Sequence, residues 1–233
     1  MKFDQPLIHG RLIKRYKRFL ADILLDNGNV VTAHCTNSGS MKSCLEENAE
    51  VFISPSSNPN RKLPYTWEMI RINNGWVGIN TSNPNRIAYE ILENQWIDEL
   101  PTFKTLIREV KYDDSRFDIY GESENQEWFF EVKNVTLKEG RFAQFPDAVT
   151  TRGQKHLNTL IKAKAEGYHV AMIYIIQRTD VDMFAPAWSI DPAYAKELIK
   201  AFDAGVKLFA VQVNVTPEYI EPLRLLPIDL IQK

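Results

Sequence analysis

The chain has 233 residues, of which 44% are hydrophobic and 25% charged, and its formal net charge at pH 7 is −2. This composition is ordinary for a soluble globular protein, and the charge excludes an overall attraction to polyanions. No apolar run approaches the roughly 18 residues of a membrane span, and no secretory signal precedes the first strand, so we expect a cytoplasmic protein without a membrane partner.

Positive charge is concentrated near the N-terminus. Residues 1–44 hold seven Lys/Arg against three Asp/Glu, and five of these cations fall within residues 11–18. A basic patch on a near-neutral protein suits nucleic-acid binding, although a solvated strand face gives the same pattern. The two cysteines, Cys35 and Cys44, lack zinc-type spacing with histidine. Reduced thiols are expected, with a disulfide as the alternative.

Residues 1–82 show short strands separated by turns. The predicted strands are residues 7–13, 18–25, 30–35, 50–53, 66–73 and 76–80. Turn sequences around Gly28 and Gly75 are typical of hairpins. Five or six short strands favour a small barrel, and a five-stranded oligonucleotide-binding (OB) barrel fits. Another small barrel or a sandwich stays open.

A different pattern begins at residue 83. Asn83 is predicted to cap a helix that takes Pro84 in its first turn. The order that follows is three strands, helix, strand, helix, strand, at residues 105–112, 115–120, 127–135, 151–166, 169–176, 192–204 and 207–215. Two strands joined across a helix imply parallel pairing in a mixed sheet. We therefore predict an α/β (α+β) chain with two domains, residues 1–82 and 83–233.

Acidic residues meet a lysine on two of these predicted strands. Asp118 lies on one strand, and Glu131 and Lys133 point to the same face of the next, beside Asp118 across the hairpin. Adjacent carboxylates repel, and a divalent cation such as Mg²⁺ or Mn²⁺ relieves that repulsion. The ion polarises a phosphate and activates water, while Lys133 adds positive charge. The pattern predicts a catalytic metal site; a structural Glu–Lys pair is the alternative.

Two helices supply further candidates for this site. Glu90 edges the buried face of the helix after Pro84, and we expect it to join the site as a metal ligand and catalytic residue. Arg152, Gln154 and Lys155 lie near the start of the helix at residues 151–166, where free backbone donors favour phosphate. They are predicted to hold a DNA backbone. Ordinary surface polarity is the alternative for all four residues.

Cations and aromatic residues alternate in the basic segment near the N-terminus. Arg15, Lys17 and Arg18 are interleaved with Tyr16 and Phe19. Such a segment contacts phosphates and stacks on bases. We predict DNA contacts here, the alternative being that the aromatic side chains belong to the barrel core.

Five segments resemble the sugar fermentation stimulation protein A (SfsA) family: RYKRFLAD, HCTNSG, SRFD, EVKNVTL and FPDAVTTRGQKHL, which begin at residues 15, 34, 115, 131 and 145. The resemblance implies an OB-like N-terminal domain and a restriction-endonuclease-like mixed-sheet domain of the PD-(D/E)xK nuclease type. It also implies DNA binding and a link to regulation of sugar (maltose) metabolism. Arg116, beside Asp118, is then expected to contact DNA. Phe117 stands where the nuclease signature has proline.

Two functions follow as hypotheses. The first is a Mg²⁺-dependent nuclease acting on single- or double-stranded DNA through Asp118, Glu131 and Lys133. The second is a non-catalytic DNA-binding transcriptional regulator that keeps the nuclease fold. A carbohydrate-binding protein has little support from the residues, and a homodimer is left open.

Overall fold

The computed structural model describes residues 1–231, which begin with a closed β-barrel. Its strands are β1 (Ile8–Tyr16), β2 (Leu20–Leu25), β3 (Val30–His34), β4 (Glu50–Pro55), β5 (Tyr65–Ile72) and β6 (Gly75–Gly78). The sheet runs β3-β2-β1-β4-β5-β6, and a further β3–β5 pairing closes the first five strands into a ring. The predicted five-stranded OB barrel is therefore confirmed, with β6 extending β5 as a hairpin.

Alternating side chains build the barrel core. In β2, Ala21, Ile23 and Leu25 point inward and are buried, while the residues between them are more exposed. This period of two is what a strand with one buried face requires. Trp67 lies at the centre of the same core and is fully buried.

A mixed sheet forms the second part of the molecule. Its elements are α1 (Asn83–Glu93), β7 (Thr105–Tyr112), β8 (Ser115–Glu122), β9 (Glu127–Val135), β10 (Leu137–Glu139), β11 (Phe142–Phe145), α2 (Thr151–Ala165), β12 (His169–Ile176), β13 (Met183–Pro186), α3 (Pro192–Asp203), β14 (Lys207–Val215) and β15 (Ile220–Leu225). The strand order is β15-β14-β12-β9-β8-β7. Strand β12 is parallel to both β9 and β14, and the other pairs are antiparallel.

Helices cover both faces of this sheet, so that β12 is apolar throughout. Met172 and Tyr174 pack on the face covered by α2 and α3. Ile173 and Ile175 pack on the opposite face, which is covered by α1. A strand that is buried on both faces has a nearly continuous apolar sequence. Its pairing with β12 holds β9 in the middle of the sheet.

The structure differs from the sequence prediction at three places. A small sheet, β10-β11-β13, was not predicted, and β15 adds an unpredicted edge strand. These strands are short, and two contain proline (Pro186 and Pro222), which obscures a strand pattern. The predicted helix cap at Asn83 is wrong. Ser82 is the N-cap residue, and Asn83 instead donates its side-chain amide to the buried carboxylate of Glu68 (3.1 Å) in the barrel.

An arginine buried between the barrel and the second domain holds the two together. Arg178 is 1% exposed and forms two hydrogen bonds to Asp180, of 2.6 and 2.9 Å. The same guanidinium donates to the backbone oxygens of Thr136 (2.7 Å) and Ser43 (3.2 Å), the latter in the β3–β4 connection. Asn73 of the barrel also donates to Asp180 (2.8 Å).

Candidate functional site

Asp118 lies where strands β8 and β9 separate. Their pairing register ends at Ile119 opposite Phe130, so Asp118 and Glu131 are the first residues beyond the paired segment. There the Oδ2 atom of Asp118 accepts the backbone N–H of Val132 at 2.7 Å. Its Oδ1 atom accepts the side-chain amide of Asn85, from α1, at 2.8 Å. Both carboxylate oxygens are thus oriented by the fold.

Glu131 is the most buried carboxylate of the site, with 2% of its surface exposed. Its Oε1 atom accepts a hydrogen bond from the Nζ atom of Lys133, 2.5 Å away, and contacts the imidazole of His156. The Lys133 Nζ and His156 Nδ1 atoms are 3.1 Å apart. The structure therefore brings Asp118, Glu131 and Lys133 together, as predicted from their spacing, and adds His156 from α2.

The two carboxylates have opposite pKa shifts. Burial, and then the nearby charge of Glu131, raise the pKa of Asp118. Burial alone would also raise the pKa of Glu131, but Lys133 and His156 together outweigh it and hold that pKa below its ordinary value. Glu131 is thus compensated by cations, whereas the negative charge of Asp118 is costly when buried.

Sequence reasoning did not single out His156. It precedes Leu160 by four residues, which places both on the same side of α2, and Leu160 is fully buried against the sheet. This four-residue spacing to an apolar helix position was the sequence signal that could have placed His156 on the buried side of α2. The Nε2 atom of His156 also lies 3.3 Å from the Nε atom of Arg152.

Glu90 has partners other than the residues of this cluster. Its Oε2 atom is 2.6 Å from the N-terminal ammonium of Met1, and its Oε1 atom is 3.3 Å from Arg86. The role of Glu90 as a metal ligand and catalytic residue stays a prediction, which would require these ion pairs to open.

Because its carboxylate is already ion-paired, replacing Glu90 with glutamine is expected to leave Mg²⁺ affinity unchanged. The free energy of unfolding should fall by at most about 1 kcal/mol, since the carboxylate is partly exposed. Calorimetric Mg²⁺ titration and thermal melts check this, and a clear loss of Mg²⁺ affinity without unfolding would assign Glu90 to the metal site.

The predicted DNA contacts in the barrel fall into two groups. Lys17 and Arg18 form the exposed β1–β2 turn with positive φ angles of 50° and 65°, and Phe19 beside them is 49% exposed. Phe19 is therefore not core. Arg15 instead donates to the backbone oxygens of Asn37 (2.8 Å) and Gly39 (2.9 Å), so its guanidinium holds a loop in place.

The predicted contacts in the second domain also separate. Gln154 donates to both carboxylate oxygens of Asp191, the N-cap residue of α3, at 3.2 and 3.3 Å. In this structure its amide therefore links α2 to the start of α3. Arg116, Arg152 and Lys155 instead line a surface groove of about 580 Å³ that reaches His156. Its other lining residues are Lys111, Asp113, Asp114 and Ser115.

Asp118 and Glu131 offer oxygen ligands to a divalent cation. Carboxylates are ligands that hard ions prefer, with waters and backbone carbonyls completing the shell. Across residues 1–231, no group of three or more His, Cys, Asp or Glu side chains is arranged to hold a metal ion. The pair fits an ion that keeps several waters. Lys133 and His156 both contact the Oε1 atom of Glu131, so an ion that took this oxygen would have to displace them.

Barrel, mixed sheet and paired carboxylates together define a two-domain protein of the OB and nuclease-like type. The family model described as "Sugar fermentation stimulation protein RE domain" matches residues 82–219, and "SfsA N-terminal OB domain" matches residues 13–79. The chain belongs to the sugar fermentation stimulation protein (SfsA) family.

Relatives match along nearly the whole chain. A sugar fermentation stimulation protein homolog from Geobacter sulfurreducens is 48% identical over 98% of both chains. One from Pelobacter propionicus is 46% identical over 97% of this chain and 98% of its own length. The solved structure of Pyrococcus furiosus SfsA in complex with Ca²⁺ has a TM-score of 0.89, 26% identity and 98% coverage of both chains. Within residues 1–231, no helix is long and apolar enough to cross a membrane.

Proposed function

We propose that this protein is a Mg²⁺- or Mn²⁺-dependent DNA nuclease whose site is Asp118, Glu131 and Lys133. The observation that carries the proposal is the proximity of Asp118 and Glu131 just beyond the paired segment of β8 and β9, close enough for the charge of Glu131 to raise the pKa of Asp118. Burial makes the negative charge of Asp118 costly unless a cation lies beside it. The Ca²⁺ in the Pyrococcus furiosus relative supports a divalent ion here.

Each side chain has a distinct role in the proposed reaction. When bound, the ion supplies Lewis acidity and an activated water. Asp118 and Glu131 hold it, and Asn85 and the Val132 N–H orient Asp118. Lys133, once released from Glu131, donates to a phosphate oxygen on which negative charge develops.

DNA reaches this site along the surface groove lined by Arg116, Arg152 and Lys155, called here the cationic groove. Arg116, Arg152 and Lys155 pair with phosphates there, and Lys17 and Arg18 provide a second basic contact on the barrel. Binding that depends on phosphate contacts weakens steeply as salt concentration rises. A salt-insensitive affinity would therefore contradict this part of the proposal.

A non-catalytic DNA-binding regulator is the second candidate, and one observation favours it. The Oε1 atom of Glu131 is occupied by Lys133 and His156 rather than free for an ion. In that case the same groove binds DNA, a role in sugar metabolism follows from regulated transcription, and no strand is cut.

The substitution Asp118→Asn tests the first candidate. We expect metal-dependent cleavage of single- and double-stranded DNA to disappear, while the metal-free variant melts at a higher temperature because a costly buried charge is gone. Since the Asp118 pKa is raised, that gain exists at neutral pH and vanishes as the pH falls and the wild-type carboxyl protonates.

The matched control is Asp203→Asn, at the exposed end of α3, which should keep wild-type cleavage and melting. Cleavage that persists in Asp118→Asn, or that is absent from the wild type on every substrate with Mg²⁺ and Mn²⁺, contradicts the nuclease and leaves the regulator.

A further inference from the structure

A polar cleft of about 430 Å³ lies between the barrel and the second domain. Arg18 and residues 36–39 line it on the barrel side, and Asn134 and residues 144–150 line it on the other. Asn134 follows Lys133 in β9, and Thr150 is the N-cap residue of α2, the helix that carries His156. The cleft therefore lies close to the carboxylate site, because one of its lining residues is the chain neighbour of Lys133.

Asn37 presents a hydrogen-bonding group to this cleft. It is 5% exposed, and its Oδ1 atom accepts the backbone N–H of Gly39 at 2.9 Å. Arg15 donates a hydrogen bond to the backbone oxygen of Asn37. Among residues 1–231, the Asn37 side-chain amide donates to no protein group. A fixed loop thus carries a nearly buried amide with free donor capacity, which is typical of a binding pocket.

The width of the cleft is set by a close approach of its two walls. A Cβ atom at Gly39 would meet the carboxylate of Asp147 at 2.0–2.6 Å, so a larger residue there would have to push that side chain aside. The volume lies within the roughly 300–1,000 Å³ of small-ligand pockets. It suits one nucleotide and cannot admit a paired duplex.

The charges of the cleft indicate how a nucleotide would lie in it. Asp147 repels a phosphate placed between the walls, whereas Arg18 at the exposed turn pairs with one. The amide of Asn37 suits the hydrogen-bonding edge of a base, whereas the Oδ1 atom of Asn134 already accepts from Gln177 at 2.6 Å. A base and sugar therefore fit inside, with the phosphate near Arg18.

We infer that the cleft binds a single unpaired nucleotide of the strand whose phosphodiester lies at Glu131, Lys133 and His156. The substrate class is then DNA with a single-stranded tail, rather than a fully paired duplex. This inference rests on the proposed function, and it adds the substrate structure that the site selects.

Filling the cleft tests the inference without any cleavage. A fluorescent blunt duplex and the same duplex with a short single-stranded tail are titrated in Ca²⁺. Wild type should bind the tailed duplex about tenfold more tightly, a typical effect of one base contact. Ser38→Trp, at an exposed serine of the cleft, should abolish that preference and leave blunt-duplex affinity unchanged.

Two further variants keep the result interpretable. Ser57→Trp, at an exposed serine of the β4–β5 loop outside the cleft, should behave as wild type. Ala148→Trp fills the cleft from the opposite wall and should repeat the loss. Equal affinity of wild type for both duplexes, or a preference that survives both cleft variants, overturns the inference. Because nothing is cut, that failure is separate from the Asp118→Asn cleavage result.

Discussion

Replacing Asp180 with alanine is expected to lower the free energy of unfolding by about 3 kcal/mol, because it leaves the buried guanidinium of Arg178 without its counter-charge. Arg178 is 1% exposed and cannot turn to solvent without leaving Thr136 and Ser43. For a chain of this size, about 2–4 °C of melting temperature corresponds to each kcal/mol, so thermal melts should show a fall of roughly 6–12 °C.

Asp182→Ala is the matched control, because Asp182 is 56% exposed and its arginine partners lie 3.5 and 3.8 Å away. Such a surface pair contributes at most about 1 kcal/mol. Equal destabilisation by both variants would contradict the assigned role of Asp180.

The contribution of Asp180 also depends on pH in a defined direction. Burial raises its pKa, but hydrogen bonds from Arg178, Asn73 and Lys138 outweigh burial and hold the pKa well below its ordinary value. A depressed folded-state pKa gives stability that is present above the unfolded value, about 3.9, and is lost as the pH falls through the folded value. The difference between wild type and Asp180→Ala should therefore be constant near neutral pH and shrink below about pH 4.

Replacing Lys133 with methionine is expected to reduce DNA cleavage about 100- to 1,000-fold while leaving Ca²⁺ affinity at or above the wild-type value. Lys133 stabilises charge on the phosphate in the proposed reaction, which explains the loss. In the resting protein its Nζ atom is 2.5 Å from the Oε1 atom of Glu131, so its removal frees that oxygen as a ligand. Single-turnover cleavage in Mn²⁺ and calorimetric Ca²⁺ titration measure the two effects.

Lys196→Met, at an exposed position of α3, is the matched control and should change neither quantity. A weaker Ca²⁺ affinity in Lys133→Met would show that the lysine orders Glu131 rather than acting on the phosphate. Unchanged cleavage would remove Lys133 from the reaction.

Much of the fold was predictable because its elements carry strong local patterns. Strands β7, β9, β12 and β14 have the predicted boundaries, and α2 and α3 end where glycine takes a positive φ, at Gly167 and Gly205. The small sheet β10-β11-β13 was missed because its strands have three or four residues, too few for a period of two to register.

The site was predictable only where neighbours in sequence are neighbours in space. Strand alternation placed Glu131 beside Lys133, and the hairpin placed Asp118 near them. The ion pair of Glu90 with the N-terminal ammonium and the hydrogen bonds of Gln154 to Asp191 were not predictable, because these partners are remote in sequence. His156 reaches Glu131 only through the packing of α2 on the sheet, which helix periodicity alone does not fix.

The buried Arg178 has a consequence for the products that the proposed nuclease would release. Because this residue ties the barrel to the second domain, the span from the β1–β2 turn to the carboxylates is constant from one molecule to the next. A DNA strand that is bound by Lys17 and Arg18 and cleaved at Glu131 is then cut at a fixed distance from the bound phosphates. Fragments should have one narrow length distribution, which broadens when Arg178 is replaced.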